Sequence, residues 1–328
     1  MLEPAQSITI VPHSNPDGDA IGSAVALGVV FTNMGHSAKI ISPNDYPDFL
    51  QWMPGNIKIV NFQRKKKQAE KFINESKLMF CVDFNDIRRT KYMEKTIDAF
   101  TGKKVMIDHH PCPAQFADFS ISRPEYSSTC ELVYDFIEAA GLSRFLDTQA
   151  ARVLYAGIMT DTGSFSHSTS RPNLYKVLSG LMKFDIDAEE IHARIYDNFS
   201  TQRMRLMGYC LLEKMVVLPE YSVGYISITL EELKKFNFEP GDTEGFVNIP
   251  LSIKGIIFSA LFVEKEDHVK ISFRSKGSFP VNEFSSNHFG GGGHLNAAGG
   301  ETKLKLSETL DFFTQLLPNY LHLLNRND

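Results

Sequence analysis

The first half of the chain alternates short apolar runs with helix-type patterns, and this alternation restricts the fold more than any other feature. Ser7 to Pro12 (SITIVP), Ser37 to Ile41, Leu78 to Val82 (LMFCV) and Lys104 to Ile107 (KVMI) are short and largely apolar. Such runs suit strands buried on both faces. Helical patterns lie between them at about 19 to 34, 64 to 76 and 90 to 98. The alternation predicts an α/β domain, a mostly parallel sheet with helices on both faces. From Thr129 to about Lys183 the pattern turns mostly helical, punctuated by Gly141, Gly163 and Pro172.

The segment 187–214 carries acids early and basic residues late, as a helix macrodipole favours. Asn198 to Thr201 breaks it into two helices. Beyond it come strand patterns at Met215 to Leu218, Ser222 to Thr229, Ile256 to Val263 and Val269 to Phe273. A glycine run and a last helix from about Ser307 to Leu324 complete the chain. The expected organisation is a catalytic domain over 1–186, a helical linker over 187–214, and a smaller α+β domain over 215–328, facing the first across a cleft.

Composition limits the function classes. The 328 residues are 43% hydrophobic and 22% charged, which is ordinary for a globular protein. A net charge of -5 provides no global field for a long duplex, so a phosphate ligand has to be gripped locally. Cys81, Cys112, Cys130 and Cys210 form no CxxC pair, which argues for a reducing compartment rather than disulfides or structural zinc. The start MLEPAQSITI lacks a basic, apolar leader, and no run approaches the roughly 18 apolar residues of a spanning helix. The expected location is the cytoplasm, without membrane contact. The KKK run at 65–67 reads as a solvated helix face.

Four separate segments offer metal-type ligands, each read as a strand end. After the first strand, His13-Ser14-Asn15-Pro16-Asp17-Gly18-Asp19 supplies an imidazole and two carboxylates; Gly18 is expected to permit a tight turn and Asp19 to cap the next helix. The strand at 78–82 ends in Asp83, and that at 104–107 in Asp108-His109-His110. In Gly157-Ile158-Met159-Thr160-Asp161, Asp161 closes an apolar segment. In open α/β sheets, ligands bind beyond the carboxyl ends of the strands where strand order reverses. So many acids at one edge would be unpaired without cations, and desolvated charge is costly unless neutralised. Carboxylates mixed with imidazole suit two Mn2+ ions, with Mg2+ or iron as alternatives, better than structural zinc. Such a pair, about 3.5 to 4 Å apart, activates water and stabilises in-line attack on phosphorus.

HSNPDGDAIGS at 13–23, VDFND at 82–86, IDHHP at 107–111 and GIMTDTGSFSHSTS at 157–170 resemble the four ordered motifs of the DHH phosphoesterase superfamily. The resemblance implies that His13, Asp17 and Asp83 hold one metal and Asp19, Asp83, His109 and Asp161 the other, with Asp83 bridging. It further implies that His110 meets the substrate phosphate and that Asp108 orients the imidazoles. Further on, FRSKG at 273–277, FGGGGH at 289–294 and NAAGG at 296–300 resemble the DHH-associated domain. There Gly291, Gly292 and Gly293 form a candidate anion nest, and Arg274, Ser275 and His294 are candidate substrate contacts. Phe279, Phe284 and Phe289 read as core rather than as base platforms.

The pairing of these domains is similar to the NrnA-type oligoribonucleases. It implies hydrolysis of short single-stranded oligonucleotides to mononucleotides and removal of the 3'-phosphate of pAp. Two other readings stand beside it: a phosphodiesterase acting mainly on linear dinucleotides such as pApA, and a pAp-binding regulatory protein that retains the metals without turnover. A homodimer is the open alternative to a monomer.

Overall fold

The protein is described here by a computed structural model covering residues 5–324. It comprises two compact units that divide between Asn198 and Phe199.

The first unit contains β1 (Ser7–Val11), α1 (Gly18–Asn33), β2 (Ser37–Ser42), β3 (Ile59–Asn61), α2 (Lys66–Glu75), β4 (Leu78–Val82), α3 (Glu94–Asp98), β5 (Lys103–Asp108) and β6 (Phe119–Ser122). The helices α4 (Thr129–Ala139), α5 (Thr148–Asp161), α6 (Pro172–Met182) and α7 (Ala188–Tyr196) follow. Its six strands run in the order β3-β2-β1-β4-β5-β6, and every pairing is parallel. Strand residues alternate between two apolar layers. Ile8, Ile10, Phe80, Val82 and Ile107 pack under α1, α4 and α5, while Val11, Met79 and Cys81 pack under α2 and α3. Helix α1 is buried from Gly18 to Phe31, which explains its largely apolar sequence, whereas α2 buries only Ala69 and Ile73 and leaves its lysines exposed.

The chain leaves β1 toward β2 and returns to β4 on the other flank of β1, so strand order reverses between β1 and β4. Both edge strands lay outside the sequence expectation. Strand β3 has three residues, and β6 (FSIS) is half polar, so neither carries a buried-strand signal. The helix expected at 90–98 is divided: a 3-10 segment, Ile87–Met93, is kinked at Lys91 (φ 46°), and α3 begins at Glu94.

The second unit contains α8 (Thr201–Tyr209), β7 (Met215–Leu218), β8 (Val223–Ile228), α9 (Leu230–Lys235), β9 (Phe258–Glu264), β10 (Val269–Ser275), α10 (Val281–His288), β11 (Gly292–His294), β12 (Ala297–Thr302) and α11 (Leu306–Leu324). Its sheet order is β11-β12-β10-β9-β8-β7, antiparallel except for β8–β9. An aromatic core of Phe258, Phe262, Phe273, Phe279, Phe284, Phe289 and Phe313 lies between the sheet and its helices. Phe258 and Phe279 stand 4.7 Å apart by ring centroid.

Segment 187–214 holds two helices, as its break at Asn198 to Thr201 predicts. Asp187 caps α7, whose Ile191 and Ile195 belong to the first unit's core, and Ser200 caps α8, whose Leu206 belongs to the second unit's. Among the described residues no helix is long and apolar enough to cross a membrane.

Candidate metal centre

The loop after β1 turns at Asn15, which takes the left-handed conformation (φ 54°). Gly18 does not make that turn. It is the first residue of α1, and a Cβ there would stand 2.4 Å from Thr160 Oγ1, so its lack of a side chain lets α5 approach. Asp17, not Asp19, caps α1: its Oδ1 accepts from the amides of Asp19 (3.1 Å) and Ala20 (3.0 Å). Its Oδ2 lies 3.8 Å from His13 Nε2, and Asp83 Oδ2 lies 3.3 Å from the same nitrogen. His13 Nδ1 meets the carbonyl of Ser14 at 2.9 Å, which orients the ring.

Asp19 is committed to another helix. Its oxygens accept the amides of Thr129 (2.6 Å) and Cys130 (2.7 Å), which open α4, where free N–H groups and the helix dipole favour an anion. Gly157 makes room for this: a Cβ there would stand 2.3 Å from Cys130 Sγ and 3.2 Å from Asp19 Oδ1. The Thr129 hydroxyl donates to Asp83 Oδ1 at 2.8 Å. Sequence alone gives Thr129 and Cys130 no role at this site. Ser128 followed by Glu131 before an apolar run is an N-cap signature that could have marked this helix start as an anion partner.

Asp83 follows β4 with φ 64°, uncommon for a non-glycine residue and costing on the order of 1 kcal/mol. That turn directs its buried carboxylate inward among His13, His109 and His110, with His109 Nε2 at 3.8 Å and His110 Nδ1 at 3.7 Å from Oδ1. Beyond β5, His109 Nδ1 meets the Tyr126 carbonyl at 3.2 Å, turning Nε2 toward Asp161 Oδ2 (3.4 Å) and Asp19 Oδ2 (3.9 Å). Asp108 is fully buried and meets His110 twice, through Nδ1 at 2.7 Å and the backbone amide at 3.0 Å. Asp161 arrives not from a strand end, as expected, but as the last residue of α5.

Two ligand groups result: His13, Asp17 and Asp83 form one, and Asp19, His109 and Asp161 the other, the candidate atoms within each lying within 4.8 Å of one another. Asp83 borders both. Asp108 and His110 form a further group with Asp83.

The electrostatics of this edge are unbalanced. Burial, then the charges of Asp83 and Asp161, push the Asp19 carboxyl well above the usual range despite its amide partners. Asp108 is pushed up to about 7 by burial and by Asp83. Burial also opposes charge on Asp83, but the hydrogen bond and charge of His13, with the charges of His110 and His109, outweigh it and hold Asp83 low. His13 is correspondingly raised, its pairing with Asp83 and the charge of Asp17 overcoming burial. His110 is held well below the usual range by burial and then by the charge of Arg89. Clustered carboxylates that raise one another, mixed with imidazoles and offering no thiolate, fit divalent cations of the Mn2+ or Mg2+ kind.

The substrate candidates of the second unit sit on β10 and β11, the two strands that flank β12. In register, Arg274 of β10 and His294 of β11 both oppose Ala297 of β12, so all three share one sheet face with the small residue between the two polar ones. Packing accounts for two glycines of the run. Gly291 and Gly293 are required by packing, since a Cβ would stand 1.8 Å from the Gly299 carbonyl or 2.3 Å from that of Ala297, whereas Gly292 faces open space. The Ser275 hydroxyl is occupied, donating to the Phe279 carbonyl (2.7 Å) and accepting from Asn296 (2.8 Å).

Comparison with known proteins identifies the family. The family model described as "DHH family, N-terminal domain" matches residues 7–158, and the "DHHA1 domain" matches 221–322. A Streptococcus mutans protein named "Probable bifunctional oligoribonuclease and PAP phosphatase NrnA" is 30% identical over 94% of this chain and 94% of its own. The crystal structure of an exopolyphosphatase-related protein from Bacteroides fragilis superposes with a TM-score of 0.95 at 42% identity, over 99% of this chain and 95% of that one. RecJ from Thermus thermophilus, in complex with Mn2+, shares the fold at a TM-score of 0.51 and 13% identity, over 96% of this chain and 52% of that one. The chain belongs to the DHH family of phosphoesterases, with a DHHA1 domain in its second unit.

Proposed function

We propose that the protein is a two-metal phosphoesterase that hydrolyses short oligonucleotides to mononucleotides and converts pAp to AMP. The observation that carries this reading is the pair of ligand groups bordered by Asp83 at the reversal of strand order. The name of the Streptococcus mutans relative supplies the substrate class. His13, Asp17 and Asp83 would hold one ion, and Asp19, Asp83, His109 and Asp161 the second; the RecJ complex supports Mn2+. Divalent ions bound there would make water a nucleophile at neutral pH and stabilise charge on the phosphoryl oxygens.

The remaining residues position this set. Thr129 and the start of α4 fix the carboxylates of Asp83 and Asp19. Asp108 holds the His110 ring through Nδ1, and this imidazole is the proposed contact to a substrate phosphate. Arg274 and His294 are the proposed grip of the second unit on a phosphate, of which a two-to-five-nucleotide substrate has few. Four free cysteines, one of them exposed, support a cytoplasmic setting.

The test is turnover by purified protein with Mn2+ of pAp, pApA and a five-mer, with tripolyphosphate included because of the Bacteroides fragilis protein's name. Release of AMP from pAp and of mononucleotides from the five-mer is expected. Turnover of tripolyphosphate alone would replace the nucleotide reading, and tight pAp binding without turnover across several metals would favour a regulator.

A further inference from the structure

Arg89 has no role in the ligand set described above, and the structure leaves it without a counter-charge among the described residues. It follows Arg88 in the 3-10 segment after Asp83. The two arginines differ sharply. Arg88 is exposed and closes a fork on Asp86, with Nε at 2.9 Å and Nη2 at 2.5 Å from Oδ2. Arg89 is half-buried, and among the described residues its guanidinium has no carboxylate or hydrogen-bond partner. Its backbone is fixed against the first ligand loop, its carbonyl accepting the Ser14 amide at 2.9 Å. Its charge is felt at His13, Asp108 and His110, where it opposes protonation.

A half-exposed guanidinium with no carboxylate bonded to it is open to an anion from solvent. Carboxylates abound nearby, yet none is bonded to it, and cations would occupy those carboxylates in the loaded protein. The partner left for Arg89 is an anion that arrives from outside, and a planar fork of N–H donors matches phosphoryl oxygens better than a point charge does.

We infer that Arg89 is a phosphate-contact residue of the first unit, its guanidinium taking the non-bridging oxygens of the phosphoryl group presented to the metal ligands. This rests on the phosphoesterase reading above and assigns to it a residue outside the metal ligands and outside the second unit.

Inorganic phosphate binding to the Mn2+-loaded protein, measured by calorimetry, tests it with wild type, Arg89→Gln, Arg89→Lys and Arg88→Gln. Arg89→Gln should weaken phosphate binding about tenfold or more, as expected for loss of a charged hydrogen-bond pair. Arg89→Lys should recover part of the loss, and Arg88→Gln should stay within about twofold because its charge is exposed and already paired. Mn2+ affinity of Arg89→Gln should be unchanged or tighter, since a cation has been removed; this also shows that the variant is folded. Phosphate affinity of Arg89→Gln within twofold of wild type would overturn the inference. So would an equal loss in Arg88→Gln, or Mn2+ affinity falling in step with phosphate affinity. Wild type that binds phosphate through Arg89 yet turns over no pAp would defeat the functional reading alone, whereas turnover with an indifferent Arg89→Gln would defeat this inference alone.

Discussion

The ligand edge of the first unit and the glycine segment of the second both look like binding sites in sequence, and the structure treats them differently. At the ligand edge, side chains up to 148 positions apart, His13 to Asp161, contribute to adjoining groups in which burial and neighbouring carboxylates oppose the charge of Asp19. In the glycine segment Gly291 and Gly293 are absorbed by strand packing, whereas Gly290 and Gly292 face open space. A carboxylate held in a low-dielectric edge beside other carboxylates calls for a cation. A glycine is equally well explained by a neighbouring backbone.

The largest effect that would sharpen this contrast is at Asp83, which borders both ligand groups. Outer partners of metal ligands typically contribute about 10–100-fold, so Asp83→Ala should reduce kcat on pAp by more than about 100-fold and weaken Mn2+ binding. Retained turnover would break the comparison at its first term. Thr129→Val removes the hydroxyl donated to Asp83 while keeping the helix start, and should cost about 10–100-fold in activity or metal affinity. A change in thermal stability without a change in Mn2+ titration would make Thr129 a fold residue only.

The glycines give the opposite pattern. Gly291→Ala forces a Cβ into the Gly299 carbonyl and should destabilise the second unit by about 1–3 kcal/mol in denaturant melts. Gly292→Ala should leave stability within about 0.5 kcal/mol, and a raised KM for pAp there would return a ligand role to the glycine run. The smallest effect is at Glu232, which closes a capping box with Thr229 and bonds Lys214 and Tyr209. Burial opposes its charge, but the Thr229 amide, Lys214 and Tyr209 outweigh it and lower its pKa to about 2. Its folded pKa lies below the unfolded value, so the stability it adds is present above about pH 4.5 and lost as pH falls toward 2. Glu232→Gln should flatten acid unfolding in that window; an unchanged acid transition would remove the assignment.

Much of this was legible in the chain. The buried strands β1, β2, β4 and β5 announce themselves as apolar runs because both faces are covered, and the side chains that follow β1, β4 and β5 are those at the ligand edge. Edge strands β3 and β6 were not legible, since a strand covered on one side and three or four residues long need not be apolar. Asp161 was read as a ligand but on the wrong element, because the end of a buried helix and the end of a buried strand are both apolar runs closed by a polar residue. The partnership of Asp19 with α4 was invisible because it joins residues more than a hundred positions apart through backbone amides, which every residue but proline possesses. Strands β11 and β12 were hidden because glycine reads as loop until a close backbone neighbour explains it.

The most direct test of the central claim is anomalous diffraction at the manganese edge from crystals of the Mn2+-loaded protein. Two peaks are predicted, one contacted by His13, Asp17 and Asp83 and one by Asp19, His109 and Asp161, with Asp83 touching both. No peak at this edge, or ions bound elsewhere with these side chains paired among themselves, would contradict the account.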